Sequence, residues 1–514
     1  MAGRTEIVID AEREVGRIDP FIYGQNIEPA TSNQVFGPQG TSIRKDVIDA
    51  IGSIKIPIIR WPGGNSASQY HWEDGVGPKR KRPVVYDIAW GIFESNQFGT
   101  DEFIEYCRLI GAEPFITVNA GSGTAEEAAH WVEYCNLKKR PVKTRFRRFN
   151  EEYYQQIDDS RYVKLRERYG HREPYAVKYW SIGNETWGDF QVGKLSAEEN
   201  AKKTVEYAKL MKQVDPEIKI AVVGMYLSSY WKWRENQDYN TSMEWNTEVL
   251  KASGELIDYI SVHRYYFPEV GEEPSAFKKN KYLPLLACPI HSERKLKAVN
   301  SAIELAMDIL SKEERIKISF DEWFLGVRTL SHALATARFF NVLQRMSGSV
   351  TIACGEQWIA NVIEEGILIE AGHRAFDLYQ NHSGEIALDT IVHTETYDTE
   401  IQEFRETNLA PANFRMVPYI DSSATLSLDR KKLYIATVNA FENKGEECKI
   451  RLRDISVKKK ARVYELNGPD IMSHNDIQNP NRIKIMEKEI DNAGDIFTYE
   501  FPPHSATIME LQVQ

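Results

Sequence analysis

The chain has 514 residues and a formal net charge of −11 at pH 7. This length allows a large core and two domains. The acidic balance disfavours nucleic acid and anionic membranes as partners, because phosphate binding requires a basic surface. The N-terminus has no apolar segment typical of a signal peptide, and no run approaches 18 apolar residues, so we expect no membrane span.

The cysteines are few and scattered, and no pair has CxxC spacing. This pattern predicts neither a zinc cluster nor a disulfide framework. No HExxH motif or clustered His and Asp set occurs, so we predict no metal and no cofactor. Such cysteine usage is typical of a reducing compartment and predicts a cytoplasmic location. The five are Cys107, Cys135, Cys288, Cys354 and Cys448.

Residues 4–9 predict a short strand, and after Pro20 strand patterns alternate with helical patterns. This alternation predicts a closed, parallel α/β architecture, a (β/α)₈ TIM barrel. A doubly wound sheet is the alternative, but no GxGxxG sequence follows the first strand. The expected strands are Phe21–Gln25, Ile56–Trp61, Pro114–Asn119, Val177–Ile182, Ile218–Val223, Tyr259–His263, Ile316–Asp321 and Val350–Cys354. The expected helices are Asp101–Ile110, Thr124–Tyr134, Ala197–Val214, Leu296–Leu310 and Ala333–Met346.

Helix-terminus residues support two of these helices. Thr100 is a good N-cap for the first, and Gly111 is a good residue to end it. Ser196 and Glu199 have the spacing of a capping box for the third helix.

From about residue 385 the helical periodicity disappears, and short apolar runs alternate with Asn, Asp, Gly and Pro turns. This pattern predicts an all-β sandwich, and the N-terminal strand could pair into it. We therefore predict a barrel over residues 20–384 and a jelly-roll-like β-sandwich formed by residues 1–19 plus 385–514. The expected strands are Ala424–Leu428, Lys432–Ala440, Glu447–Leu452, Ala461–Leu466, Phe497–Phe501 and Ala506–Leu511.

One strongly basic stretch, residues 138–148, precedes the fourth predicted barrel strand. We expect a solvated insertion loop there, and a site for an anion or polymer is the alternative.

Two apolar, strand-like segments each lead to a glutamate, Glu185 and Glu322. The C-terminal ends of barrel strands form the face where such barrels keep their active sites. Two carboxyl groups converging there suit glycoside hydrolysis, in which one protonates the leaving oxygen and the other acts at the sugar carbon. Asn184, beside Glu185, could hydrogen-bond a sugar hydroxyl. Each glutamate could instead be a surface residue after a buried strand.

Two further strand ends carry polar side chains. Arg60 ends the second strand, where it would hold a nearby carboxylate ionised, and Gly63 and Gly64 let the backbone approach a ligand. A structural ion pair in a tight turn is the alternative. His263 and Tyr265 lie on one face of the sixth strand and predict polar groups at the barrel mouth, although His263 alone could be a core histidine.

These residues resemble glycoside hydrolase family 51, the α-L-arabinofuranosidases, in order across about residues 20–365, and the terminal β region resembles the family's sandwich. The matching segments are Tyr23–Glu28, Arg60–Asn65, Trp72–Pro78, Asn96–Phe103, Trp180–Glu185, His263–Tyr266, Asp321–Trp323, and Gln357 with Asn361–Ile363.

The resemblance implies a retaining mechanism with Glu185 as acid/base and Glu322 as nucleophile. It implies that Arg60 is the nucleophile's partner, and we count His263 with the binding residues. It further implies an exo-acting enzyme that removes terminal α-L-arabinofuranosyl residues during hemicellulose breakdown, and a homo-oligomer, a hexamer. The implied contacts to the furanose ring are Glu28, Asn65, Asn184, Tyr265 and Gln357.

Two segments depart from the family pattern. After Glu28 the family usually has His and then a Gly-Arg pair, and here Pro29–Ser32 follow. After Trp323 the family usually has Asn and aromatic residues, and here Phe324-Leu325 follow. Both segments should line the rim of the pocket. We therefore expect the reaction type of the family, whereas the sequence does not determine the terminal sugar or the aglycone.

Two other functions compete with this interpretation. An endo-β-1,4-glucanase or β-xylosidase could use the same scaffold. A non-catalytic carbohydrate-binding protein would be expected to lose one carboxylate, and both are present.

Overall fold

The computed structural model describes residues 5–29, 44–52, 54–138, 142–148, 151–157, 160–226, 242–266, 281–356, 360–363, 366–401 and 412–514. Within them, eight strands close into a barrel and nine others form a second sheet. No helix in this part of the chain is long and apolar enough to cross a membrane.

The barrel strands follow chain order around the barrel, and every neighbouring pair is parallel. The eighth strand pairs with the first, Cys354 opposite Gly24, which closes the barrel. The predicted TIM barrel is therefore confirmed, and closure rules out the doubly wound alternative. From first to eighth, the strands are Gly24–Asn26, Ile58–Trp61, Glu113–Val118, Tyr179–Ile182, Lys219–Val223, Tyr259–Tyr265, Lys317–Phe324 and Val350–Gly355.

The helices connect and cover the barrel strands. They are α1 (Lys45–Ile51), α2 (Thr100–Ile110), α3 (Ala125–Asn136), α4 (Arg161–Arg168), α5 (Ala197–Val214), α6 (Ser242–Ser253), α7 (Tyr282–Met307), α8 (Leu330–Arg345) and α9 (Ala371–Asn381).

The helix termini largely follow the sequence signals. Gly111 ends α2 in the left-handed conformation, with φ 75°, and the Ser196–Glu199 capping box opens α5. The predicted N-cap Thr100 is wrong by one residue, because Gly99 is the cap. The Thr100 hydroxyl instead accepts a hydrogen bond from the buried Trp131 indole at 3.1 Å.

The terminal sheet confirms an all-β C-terminal domain. The N-terminal strand Glu6–Arg17 lies within it, antiparallel to Ile386–His393 and parallel to Glu446–Arg453. Ile386–His393 and Lys484–Ile490 were not expected from the sequence, and the second of these is mostly exposed and lacks a buried apolar face. The bounds 20–384, and 1–19 plus 385–514, remain a prediction. The other strands of this sheet are Ile420–Leu426, Lys432–Asn439, Val457–Asn467, Ile496–Phe501 and Ser505–Val513.

Arg345, at the end of α8, joins the barrel to the terminal sheet. It pairs with Asp421 of the sheet at 3.0 Å and with Glu293 of α7 at 2.7 Å. These contacts fix the sheet against the helical face of the barrel, away from the C-terminal ends of the strands.

Four two-stranded sheets lie outside the barrel and the terminal sheet in the described part of the chain. The basic stretch is a strand from Val142 to Arg148, antiparallel to Glu151–Ile157, so the expectation of a loop is wrong for these residues. The other pairs are Val85–Asp87 with Ile92–Glu94, Ala360–Ile363 with Gly366–Ile369, and Thr396–Ile401 with Ala412–Pro418.

Candidate active site

Glu185 and Glu322 both lie at the C-terminal face of the barrel. Glu185 follows the fourth strand after a turn in which Gly183 has φ 77° and Glu185 itself has φ 43°. A non-glycine residue in this region is uncommon, and such conformations cluster at functional sites. Glu322 lies in the seventh strand, where the pairing skips a residue between Ser319 and Glu322 relative to the sixth strand. Such bulges re-aim side chains beside active sites.

Arg60 is the centre of the site and is fully buried. Its Nη1 donates to Glu322 Oε2 at 3.0 Å, and its Nη2 donates to Asn184 Oδ1 at 2.7 Å. Its Nε lies 3.5 Å from Asp321 Oδ2. The pKa of Arg60 rises despite burial, because Asp321 and Glu322 hold it charged. Arg60 therefore holds the side chains of Glu322 and Asn184 in a fixed arrangement relative to each other.

His263 bridges the two glutamates. Its Nδ1 lies 3.1 Å from Glu185 Oε1 and 3.3 Å from Glu322 Oε2. Its Nε2 lies 3.2 Å from Asp321 Oδ1, which also accepts from Ser261. Burial lowers the pKa of His263, but the surrounding carboxylates outweigh it and raise that pKa to about 10. The imidazole is therefore a cation at neutral pH, placed between the two carboxyl groups.

One carboxylate oxygen of Glu185 and one of Glu322 lie within 4.8 Å of each other. This gap suits retaining glycosidases, whose carboxyl groups are about 5–5.5 Å apart, and is shorter than the roughly 6.5–9.5 Å of inverting ones. Burial raises the pKa of Glu185, and the charge of Glu322 adds to the rise, while the hydrogen bond to His263 opposes it. A raised pKa is what a general acid requires. Burial contributes more to this rise than the repulsion between the two glutamates.

Glu28 occupies a space that only glycine permits. A Cβ on Gly64 would lie 1.3 Å from Glu28 Oε1, and one on Gly63 would lie 1.9 Å from Asn26 Oδ1. Glu28 also accepts a hydrogen bond from the indole of Trp90, which lies in the turn between the short strands Val85–Asp87 and Ile92–Glu94. Burial and the charges of nearby glutamates raise the pKa of Glu28 well above its usual value.

The remaining predicted contacts lie around these groups. The Tyr265 hydroxyl donates to Glu322 Oε1. Asn65 accepts from the amides of Asn184, at 3.4 Å, and of Gln191. The structure thus brings together all the predicted site residues that it describes. Gln357 lies outside the described residues.

Several residues of the site were not identified from the sequence. Glu356 immediately follows the eighth strand, and its carboxyl accepts from Asn26. The rule that found Glu185 and Glu322, a glutamate at a barrel strand's C-terminal end, would also have found it. Asp321 lies in the matching segment Asp321–Trp323, but the sequence alone predicts no role for it. Burial raises the pKa of Asp321, but the charges of Arg60 and His263 outweigh burial and hold this pKa below its usual value.

Two clusters have the donor types and spacing of a metal site, each with its atoms within 4.8 Å. Arg60 already donates to Glu322, and both nitrogens of His263 already face carboxylates. Protein cations therefore already balance the charge at Glu322. The clusters are Glu185 with His263 and Glu322, and Glu28 with Glu322 and Glu356.

Comparison with known proteins places the chain in a family. Residues 50–270 match the alpha-L-arabinofuranosidase 1 domain, and residues 324–505 match the alpha-L-arabinofuranosidase C-terminal domain. A probable alpha-L-arabinofuranosidase C of Aspergillus clavatus is 32% identical over 99% of this chain and 97% of its own length. An intracellular exo-alpha-(1->5)-L-arabinofuranosidase 1 of Bacillus subtilis is 28% identical over 99% of each chain.

A solved structure agrees with these relatives. The thermostable GH51 alpha-L-arabinofuranosidase of Thermotoga petrophila RKU-1 superposes with a TM-score of 0.79 at 35% identity, covering 99% of this chain and all of that one. A closed barrel with paired carboxyl groups at its mouth and an all-β C-terminal domain defines a glycoside hydrolase. The chain belongs to the alpha-L-arabinofuranosidases of glycoside hydrolase family 51.

Proposed function

We propose that this glycoside hydrolase removes terminal α-L-arabinofuranosyl residues from arabinose-containing oligo- or polysaccharides with retention of configuration. The observation that carries this proposal is the short gap between Glu185 and Glu322, which His263 bridges. The names of the relatives support arabinofuranose as the terminal sugar.

The first step forms a covalent bond between Glu322 and the sugar. A Glu322 oxygen attacks the anomeric carbon while Glu185 gives its proton to the leaving oxygen, so the aglycone departs as an alcohol. Arg60 and Tyr265 hydrogen-bond Glu322, which orients the attacking oxygen. Asn184, held by Arg60, is placed to bind the hydroxyl next to the anomeric carbon.

The second step frees the sugar. Glu185, now a carboxylate, takes a proton from water, and the water oxygen displaces Glu322 from the anomeric carbon. His263 faces both carboxyl groups, so its positive charge compensates whichever of them is ionised in each step. Two inversions give net retention.

The location and the assembly of the enzyme are part of the proposal. The Bacillus subtilis relative is named intracellular, and all five cysteines of this chain are buried thiols outside any disulfide bond. We therefore place the enzyme in the cytoplasm, and we retain the homo-hexamer as a proposal, which light scattering of the purified enzyme tests directly.

A panel of nitrophenyl glycosides tests the proposed function. Release of nitrophenol from the α-L-arabinofuranoside should exceed release from the β-D-xyloside, β-D-galactofuranoside and β-D-glucoside. NMR of the first-formed sugar should show the α-anomer. An arabinan or arabinoxylan substrate should yield monomeric arabinose from the first minutes. Early release of oligosaccharides, or a preference for the glucoside or xyloside, would favour the endoglucanase or xylosidase alternative.

A further inference from the structure

One carboxyl group of the sugar pocket has no role in the two steps above. Glu356 follows the eighth strand and is partly exposed, whereas Glu28 and Glu322 beside it are buried. One oxygen of each of these three carboxyl groups lies within 4.8 Å of the other two. A sugar ring that reaches Glu322 therefore also lies beside Glu356.

The hydrogen bonds of Glu356 leave one of its oxygens available. Asn26 Nδ2 donates to Glu356 Oε1, while Asn26 Oδ1 accepts from Arg60 Nη1 at 3.0 Å. The backbone N–H of Glu356 donates to the Trp323 carbonyl at 2.8 Å, and among the described residues Asn26 is the only hydrogen-bond partner of its carboxyl group. The Asn26 amide therefore orients this carboxyl group and leaves its second oxygen for the pocket.

The charges around Glu356 favour its neutral form. Within the described residues it forms no ion pair, because Arg60 pairs with Glu322 and Asp321, and His263 also faces carboxylates. Burial and the charge of Glu322 raise the pKa of Glu356 to about 8, against the opposing effects of Asn26 and Arg60. A neutral carboxyl group is a hydrogen-bond donor, which an ionised one is not.

We propose that Glu356 is a specificity-determining residue of this glycosidase, whose protonated carboxyl group donates a hydrogen bond to a ring hydroxyl of the sugar held between Glu28 and Glu322. This inference rests on the proposed function, because it concerns the same sugar. The pocket then has an acceptor at Glu322, which pairs with the Arg60 guanidinium, and a carboxylic acid donor at Glu356. A sugar hydroxyl can both donate and accept a hydrogen bond, so it can bind between a donor and an acceptor.

A cycle that combines Glu356 variants with deoxy substrates tests the hydrogen bond between Glu356 and the sugar. The substrates are 4-nitrophenyl α-L-arabinofuranoside and its 2-deoxy, 3-deoxy and 5-deoxy analogues. E356A should lower kcat/KM on the parent by about tenfold, the effect of one hydrogen bond. On the analogue that lacks the contacted hydroxyl, E356A and wild type should agree. An equal loss on all four substrates would overturn the proposal.

The isosteric variant E356Q keeps a donor and tests the proton. At pH 6 its kcat/KM should stay within about threefold of wild type, because an amide N–H replaces the acid O–H. The surface variant E314Q is the matched control, since Glu314 is exposed and pairs with Lys219 far from the pocket. If E356A does not fold, the E356Q measurements alone decide.

The pH profile supplies a readout that a merely structural role would not change. A dinitrophenyl leaving group needs little protonation by Glu185, so its kcat/KM reports the remaining groups. Wild type should lose activity as pH rises through about 8, when Glu356 ionises, and E356Q should retain activity to higher pH. An unchanged profile in E356Q would assign the titration to another group and overturn the proposal. The titratable groups that face Glu356 are Glu28, Arg60, His263, Tyr265, Glu322 and Cys354.

Failure of this inference is distinguishable from failure of the proposed function. If wild type prefers another glycoside in the nitrophenyl panel, the proposed function fails at that step. The same Glu356 variants then apply to deoxy analogues of the preferred sugar. If wild type prefers the arabinofuranoside while E356A and E356Q both behave as wild type, only the inference on Glu356 fails.

Discussion

His263 lies between Glu185 and Glu322, with its Nδ1 3.1 Å from one carboxyl oxygen and 3.3 Å from the other. Both contacts use the same ring nitrogen, so a proton on Nδ1 can be donated to Glu185 or to Glu322. This arrangement lets the ionised carboxyl group alternate between the two during a double displacement. It also couples the protonation of Glu185 to the state of Glu322.

Replacing the nucleophile should abolish turnover. In E322A no covalent glycosyl-enzyme can form, so activity on 4-nitrophenyl arabinofuranoside should be lost. Azide should restore nitrophenol release and give the inverted β-glycosyl azide, which NMR identifies. A residual rate above about a tenth of wild type without azide would contradict the assignment of Glu322.

The effect of replacing the acid Glu185 should depend on the leaving group of the substrate. In E185A, a dinitrophenyl arabinofuranoside needs little protonation, so the first step survives and the glycosyl-enzyme accumulates, visible as a burst. Arabino-oligosaccharides, with poor leaving groups, should lose several orders of magnitude in kcat/KM. Equal losses on both substrates would argue against an acid role for Glu185.

The pH profile on poor leaving groups should report the proton of Glu185. The acid works only while protonated, so kcat/KM should be retained below its pKa and fall as pH rises through it. Because burial and then the charge of Glu322 raise that pKa, the fall should come above the pH at which an ordinary glutamate ionises. E185Q, which cannot ionise at this position, serves as the control, and its residual activity should lack this alkaline limb.

Removing the buried cation should affect both activity and stability. R60M leaves Asp321 and Glu322 without their guanidinium partner in a fully buried position. Loss of one partner of a buried ion pair costs about 3–5 kcal/mol, so the urea midpoint should fall and kcat should drop sharply. K202M, which removes an exposed i,i+4 pair on α5, should leave both unchanged. An R60M midpoint equal to that of wild type would show that Arg60 does not stabilise the site.

Phe324 should act beyond the catalytic subsite. It ends the seventh strand, opposite Tyr265, and is partly exposed two residues after Glu322. An apolar ring there can stack on a sugar face or an aromatic aglycone but cannot hydrogen-bond a hydroxyl. F324N should therefore change the ratio of rates between aryl and oligosaccharide substrates. A change in the preferred terminal sugar would place Phe324 inside the pocket.

Local patterns predicted the barrel and the strand ends from which the candidate site residues come. Seven of the barrel strands contain apolar, buried runs, so the sequence predicted their positions, and their C-terminal ends indicated which polar residues converge. The first strand is the exception, because Gly24–Asn26 is polar and the apolar residues Phe21–Tyr23 of the predicted strand Phe21–Gln25 lie in a 3-10 helix. The contacts of Arg60 could not be predicted in the same way, because its partners come from the first strand, the loop after the fourth strand and the seventh strand. Asn26 illustrates this limit, since its two hydrogen bonds join residues from the second and eighth strands.

Tertiary contacts overrode local signals elsewhere. Thr100 has the side chain of a typical N-cap, yet its hydroxyl accepts a hydrogen bond from the Trp131 indole. The helix begins at Thr100, one residue earlier than predicted. Lys484–Ile490 pairs with Val457–Asn467 although its side chains are mostly exposed. Backbone pairing at a sheet edge needs no apolar pattern, so periodicity did not reveal this strand.

The N-terminal strand Glu6–Arg17 has a consequence for synthesis on the ribosome. Its partners, Ile386–His393 and Glu446–Arg453, are translated only after all eight barrel strands. The strand therefore leaves the exit tunnel with its edges unpaired and stays so while the barrel forms, which is the state in which strands aggregate. Its segment Glu12–Glu14 is charged and exposed, which keeps part of this waiting strand hydrated until the terminal sheet can close.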